Sequence, residues 1–394
     1  MMEDLKRVRT ADVYKAGRVA GTLAKDAQGG VTFAYAASYQ GEPVATTLPL
    51  STSPVHVSNG GLPSFFAGLL PEGHRLTVLR RAVKTSADDE LSLLLAIGSD
   101  VPGDVQVVPA GVSPGIQKPL VNGPVEEQDF SILTDSVDGV GLPGVQTKAS
   151  ASMVNTPVRL DGFHGILKVD PPEHAHLVLN EAFHLRHAHK LRIPVAQHKV
   201  VRDKNSLPGL LVKRFDRGAN GHRFPLEDAA QILNIVPARK YNVDSEDVVR
   251  AVQQVVAAPL VATRNLFIQF FYAWLTGNGD LHAKNISVLR DRAGVWGVAP
   301  MYDVPSTVFY RDMTLALPIS GRTKNVRARH WEEFAATIGL SPAAMRSAVK
   351  LVLAVIAGMD TSELPFEGSI LYGAQRELRF RRAEAEKLLE QSPQ

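Results

Sequence analysis

The chain has 394 residues, 45% of them hydrophobic and 21% charged, with a formal net charge of +3 and no cysteine. That length exceeds the usual single core, so two or more units are expected, and the composition is that of an ordinary globular protein able to bury a large interior. Disulfides, thiolate nucleophiles and Cys-ligated zinc are excluded, and so small a net charge argues only weakly for nucleic-acid contact.

The opening stretch "MMEDLKRVRTADVYKAG" lacks the apolar core of a signal peptide. The most apolar helical stretch, "PLVATRNLFIQFFYAWLTGNG", carries Arg264, Asn265 and Gln269 and is too polar to span a bilayer. A cytoplasmic protein without membrane contact is expected.

The first hundred residues read as largely β. "VTFAYAASY" and "PVATTLPL" carry β-rich apolar residues in partial alternation, broken by "QGE" and "TSP". In "LPSFFAGLLPEGHRLTVLRRAVK", Phe65, Phe66, Leu69 and Leu70 recur at helical spacing before Pro71, which predicts a helix packed on a small sheet. From Val101 to Gly123 the chain is dense in Pro, Gly and Val, a short strand and then a linker. The boundary therefore falls between an N-terminal unit over 1–110 and a second unit over 124–390.

The second unit opens with "DSVDGVGLPGVQTKASASM". Gly139, Gly141 and Gly144 free backbone N–H groups to approach an anion, and Gln146 and Lys148 can complete a phosphate cradle, although Gly-containing surface turns are common. "HGILKV" is a short strand ending near Lys168, which either reaches nucleotide phosphates or is a solvated charge. The helix "HLVLNEAFHLRHAHKLRI" follows, with Glu181 near its start, either pairing with Lys168 or capping the helix dipole. His184, His187 and His189 do not share one helical face, so packing or solvent-facing histidines are expected rather than a metal site. "GLLVKRFDRGANGHRF" reads as a strand and a polar turn, the place of a hinge in a two-lobed nucleotide enzyme.

Two helices follow, one with Ser245 as its N-cap and one from Leu260 that buries Leu266, Phe267, Phe270, Phe271 and Trp274. The second delivers the chain into "GNGDLHAKN". There Asp280 can accept a proton from a substrate hydroxyl and Asn285, five residues on, can offer its carbonyl oxygen to Mg²⁺, with His282 and Lys284 between them. "SVLRDRAGVWGVAP" reads as a hairpin leading to "MYDVPS", where Asp303 supplies a second acid for a metal on the phosphates. Between 311 and 330, Arg311, Arg322, Lys324, Arg327 and Arg329 face the single acid Asp312, either a solvated loop or a surface for an anionic partner.

This order of parts is that of a protein-kinase-like phosphotransferase. The chain resembles the HipA-like serine/threonine kinases, toxins of bacterial toxin–antitoxin modules, in "FFAGLLPEG", "GVQTK", "KRFDR", "GDLHAKN" and "MYDVPS", over nearly its whole length. The resemblance implies Asp280 as catalytic base and Asn285 and Asp303 as Mg²⁺ ligands. It implies ATP contacts from a phosphate loop of Gly144, Val145, Gln146, Thr147 and Lys148, from Lys168, from the hinge residues Lys213, Arg214 and Phe215, and from His282, Lys284 and Tyr302. It also implies a protein substrate, an aminoacyl-tRNA synthetase among them, and a HipB-like helix-turn-helix antitoxin that links the toxin to operator DNA. One departure is Gly141, where members regulated by autophosphorylation carry serine. Ser136, Ser150 and Ser152 lie nearby.

The fold expected is α+β, with a β-rich N-terminal lobe and a kinase-like core whose C-terminal lobe is mostly helical. Two other readings use the same residues: a small-molecule kinase, and a DNA-bound corepressor in which nucleotide is structural.

Overall fold

Apolar alternation closes the first sheet. In the computed structural model, which describes residues 3–51, 53–115, 124–130, 153–160, 163–171 and 173–390, strands β1 (Thr10–Lys15), β2 (Arg18–Lys25), β3 (Val31–Tyr35), β4 (Val55–Val57) and β5 (Val105–Pro109) form an antiparallel sheet in the order β4-β3-β2-β1-β5. Alternate side chains Ala11, Val13, Leu23, Val31 and Phe33 turn inward. Against them pack helices α1 (Ser64–Gly68), α2 (Gly73–Val83) and α3 (Glu90–Ile97), with Phe65, Phe66, Leu69 and Leu91 in the same cluster. "PVATTLPL", read from its alternation as a strand, is instead a loop carrying only the isolated bridge Ala45↔Leu48. Its Thr46 is drawn off to the second unit, where Glu227 accepts from the Thr46 backbone N–H at 2.9 Å and from its hydroxyl at 2.7 Å.

The second unit begins with a four-stranded antiparallel sheet of β6 (Val154–Leu160), β7 (Phe163–Val169), β8 (His198–Arg202) and β9 (Pro208–Lys213), in the order β6-β7-β9-β8. Helix α4 (Leu177–Ala188) crosses its face. A three-stranded sheet follows, of β10 (Leu226–Asp228), β11 (Ser287–Arg290) and β12 (Trp296–Val298), the last two being the expected hairpin. Helices α5 (Ala229–Ile232), α6 (Ser245–Val255), α7 (Pro259–Thr276), α8 (Ala328–Thr337), α9 (Pro342–Ala357) and α10 (Gly368–Glu390) complete the lobe. Asp244, not Ser245, stands at the N-cap position of α6.

α7 is apolar on most sides and is accordingly the buried centre of the lobe. Phe267, Phe271 and Trp274 meet Trp331 with ring centroids 4.8–5.8 Å apart, and Phe334 closes the cluster. Buried Arg381 of α10 donates to the Trp274 carbonyl at 2.9 Å, satisfying one of the orphan acceptors at the end of α7. The architecture is the two-lobed α+β fold the sequence implied, with a mostly helical C-terminal lobe. Among the described residues, no helix is long and apolar enough to cross a membrane.

Candidate functional site

Lys168 sits near the end of β7 and is nearly fully buried. Its ammonium lies 2.8 Å from each carboxylate oxygen of Glu181 and 2.9 Å from Oδ1 of Asp303. The helix is held in the orientation this needs by Asp170, whose carboxylate accepts from the backbone N–H groups of His176 and Val178 at the start of α4. Asn180 then staples α4 to the segment after Asp303: its Nδ2 donates to the Ser306 carbonyl at 2.8 Å and its Oδ1 accepts from the Ser306 N–H at 2.9 Å. Asp303 itself takes a left-handed backbone, φ +56°, a conformation Asp tolerates better than most residues.

The electrostatics of this trio are set by burial and by the shared lysine. Burial raises Glu181 to about 7; Lys168 opposes the rise and the Asp303 carboxylate adds to it. Burial pushes Asp303 up too, but Lys168 outweighs it and holds Asp303 below the usual carboxylate value.

The segment after α7 is shaped by a left-handed glycine. Gly277 has φ +69°, and a Cβ there would stand 2.4 Å from Val308 Cγ1, so the turn needs glycine both for its backbone and for the close approach. Thr307 fastens the loop by accepting from the Gly279 N–H at 3.0 Å, while its own N–H donates to the Gly277 carbonyl. Asp280 follows, buried, with its N–H on Asn278 Oδ1 at 2.8 Å and its Oδ1 accepting from the Tyr241 hydroxyl at 2.9 Å. Asn285 Nδ2 donates to the Asp280 carbonyl at 2.9 Å, which fixes the amide and turns its Oδ1 the other way. Asp280 and Asn285 are thus held in one loop, with Asp303 close enough for its charge to act on both His282 and Tyr241. Burial lowers the His282 pKa and so favours the neutral ring.

Other residues implied for nucleotide contact fall into two groups. The Phe215 and Tyr302 rings lie 5.5 Å apart and tilted at 45° to one another, with the Tyr302 hydroxyl on the Lys284 carbonyl and on Ser287. Lys213 is exposed. Arg214 and Lys284, by contrast, reach the N-terminal unit with their side chains, Arg214 also holding Asp216 of its own unit. The Arg214 guanidinium contacts Asp100 and Asp216, and neighbouring Arg217 pairs with the same two acids at 2.9 and 2.7 Å. Asp216, which burial alone would raise, is held by these two arginines at about 2. Lys284 Nζ donates to the Gly68 carbonyl at 2.9 Å and lies 3.2 Å from Glu72. Gly144–Lys148, Gly139, Gly141, Ser136, Ser150 and Ser152 lie outside the described residues.

The histidines of α4 are packing groups: His184 and His187 are buried and bonded to the Asn180 and Phe183 carbonyls, and burial lowers His184 to about 4. His189 is exposed and stacks on His198. In the basic run, Arg327 pairs with Glu384 at 3.2 Å.

Two site residues escaped sequence reasoning. Tyr241 lies in "VPARKYNVD", a Pro-containing turn with no periodic signal, and Glu72 lies 208 positions before Asp280. Only the folded chain brings them to the loop.

Among the described residues no three His, Cys, Asp or Glu side chains are placed to hold a metal by themselves. A pair of oxygen donors, Asp303 and the Asn285 carbonyl, is what Mg²⁺ needs when substrate phosphates and water supply the remaining positions. The fixed Asn285 amide and the depressed Asp303 carboxyl both fit that use.

Residues 11–108 match the HipA N-terminal domain and residues 140–359 the HipA-like C-terminal domain. Y4mE of Sinorhizobium fredii, described as a putative kinase, is 30% identical over 91% of this chain and 94% of its own. The serine/threonine-protein kinase toxin HipA of Shewanella oneidensis is 26% identical over 79% of this chain and 78% of its own. Among solved structures, HipA of Shewanella oneidensis in complex with HipB and operator DNA shares the fold, with TM-score 0.75 at 20% identity over 97% of this chain and all of that one. With both halves of the chain matched in the order the family has them, the protein belongs to the HipA family.

Proposed function

We propose that this protein is an Mg-ATP-dependent serine/threonine protein kinase and the toxin of a toxin–antitoxin module. The observation that carries the reading is the Lys168–Glu181–Asp303 cluster facing a loop that holds Asp280 and Asn285. These groups are what phosphoryl transfer asks of a protein, since its loose transition state is stabilised by position and charge. Asp280 orients the acceptor hydroxyl and takes its proton, while Tyr241 fixes the carboxylate. Lys168, set by Glu181, binds the phosphates of ATP, and Asp303 and Asn285 hold the metal. A divalent cation held by these two residues would supply positive charge against the phosphates of the nucleotide. Phe215 and Tyr302 give the adenine an apolar face, and Gly144–Lys148 supplies the phosphate loop. In this reading 1–110 and 124–390 act as an accessory unit and a kinase core in the cytoplasm. The acceptor is an aminoacyl-tRNA synthetase or another translation protein, whose phosphorylation arrests growth, and a helix-turn-helix antitoxin restrains the toxin.

The test is transfer of labelled γ-phosphate from Mg-ATP into lysate proteins by wild type and by Asp280→Asn. A discrete protein band with wild type, reduced by about 10²–10⁴-fold in the variant, supports the reading. Equal labelling by both, or none by either, refutes it.

A further inference from the structure

The motif "FFAGLLPEG" belongs to the N-terminal unit, yet its last turn lies against the catalytic loop. The Gly68 carbonyl accepts from Lys284 Nζ at 2.9 Å, and Glu72 forms ion pairs with both Lys284 and Lys240. Lys240 accepts at its own carbonyl from the Ala283 N–H, inside the loop, and its ammonium lies 5.0 Å from the Tyr241 ring centroid. Tyr241 in turn donates to Asp280 Oδ1 at 2.9 Å and meets the His282 ring edge-on at 5.0 Å. A continuous path therefore runs from Glu72 through Lys240 and Tyr241 to the proposed base, and a second from Glu72 and Gly68 through Lys284 to Asn285. The approach is close enough to restrict residue 68: a Cβ on Gly68 would lie 2.8 Å from Gln231 Cγ, while Gln231 Nε2 donates to the Phe65 carbonyl at 2.9 Å.

We infer that Glu72 is a positioning residue for phosphoryl transfer and that the N-terminal unit, through its Gly68–Glu72 turn, sets the geometry of the loop carrying Asp280 and Asn285. The inference rests on the kinase reading above. Its physical basis is directional. The path is made of hydrogen bonds and ion pairs, joined at Lys240 and Tyr241 by a cation–π contact, at the half-buried edge of the site, where removing one partner leaves another misplaced rather than merely less stable. A carboxylate misplaced by about 1 Å costs on the order of 100-fold in rate.

The test compares full-length Glu72→Gln, Tyr241→Phe, the double variant and Glu227→Gln, which loosens the same seam at Thr46 instead. Rates of γ-phosphate transfer from Mg-ATP into lysate protein are measured against ATP concentration. The expected result is a maximal rate lowered about 10–100-fold in each single variant with KM for ATP within about twofold. The double variant falls no more than about twofold below the weaker single, because both act along one path. Glu227→Gln stays within about twofold of wild type. An unchanged rate in Glu72→Gln, losses that multiply in the double variant, or an equal loss in Glu227→Gln overturns the inference.

If wild type transfers no phosphate, the kinase reading fails by itself, and amide hydrogen exchange decides the positioning claim. Exchange at Asp280, His282 and Asn285 at least about tenfold faster in Glu72→Gln, but not in Glu227→Gln, supports it. Unchanged protection overturns it.

Discussion

Lys168→Met removes the charge that lets two buried acids coexist while nearly preserving side-chain volume. In the wild type the ammonium is within 2.9 Å of Glu181 and Asp303, and Glu181 is fully buried. Removing one partner of a buried ion pair costs about 3–5 kcal/mol. At roughly 2 °C per kcal/mol for a large domain, Tm of the nucleotide-free protein falls by roughly 6–10 °C. The deficit also depends on pH. With lysine present, Glu181 titrates at about 7, above the ordinary 4.5, so its folded form holds a proton that the unfolded chain has released across that window. A carboxyl raised on folding contributes stability below its unfolded pKa and loses it as pH rises through the folded one. Without Lys168 the folded value rises further, so the variant goes on losing stability above pH 7, where the wild-type group is already ionised. Thermal denaturation of both proteins at pH 6 and pH 8.5 measures this, with the larger deficit expected at pH 8.5. Equal Tm values, or a deficit that shrinks with rising pH, would refute the argument.

The same variant is expected to weaken ATP binding by about 10–150-fold in calorimetric titration, the worth of about 1.5–3 kcal/mol for a charge-assisted hydrogen bond. Gly277→Ala, forced to φ +69° against Val308, is expected to lose about 2 kcal/mol or more in urea unfolding and over tenfold in transfer rate. Trp331→Ala, fully buried among Phe267, Phe271 and Phe334, is expected to cost about 3–5 kcal/mol, read as a lower Tm, with ATP affinity within about twofold of wild type. Asp100→Ala leaves Arg214 and Arg217 to share Asp216 and is expected to cost about 1–3 kcal/mol, visible as a lower urea midpoint with unchanged slope.

What the sequence reveals here is local chemistry and order. A strand lysine followed 13 residues later by a helix glutamate can be paired on paper, because a strand and the helix after it are neighbours. Asp303 as a third partner of Lys168 cannot, since 135 residues separate them and the Asn180–Ser306 staple that closes the distance has no motif. The resemblance implies nucleotide contacts at Lys284 and Arg214, but it does not give the direction of their side chains, which is decided by what packs beside them. Gly68 and Glu72 claim the first, Asp100 and Asp216 the second. "PVATTLPL" failed for the same reason: alternation records which residues are apolar, not that Thr46 is bonded to Glu227.

The contacts between the two units share a physical character that bears on why the N-terminal unit is there. The units have separate hydrophobic cores, and the seam between them near the site is fastened by directional polar groups: the arginines 214 and 217 on Asp100, Gln231 on the Phe65 carbonyl, and Lys284 on the Gly68 carbonyl. An apolar seam of equal area would tolerate sliding, because burial depends on area and hardly on register. A seam of half-buried hydrogen bonds does not, since a small shift leaves donors and acceptors desolvated without partners. One end of that seam reaches Arg214, in the turn after β9, and the other reaches Lys284, in the loop of Asp280 and Asn285. If the proposed transfer draws its rate from placement, a second body that holds both ends of the seam in a single register is of use to it.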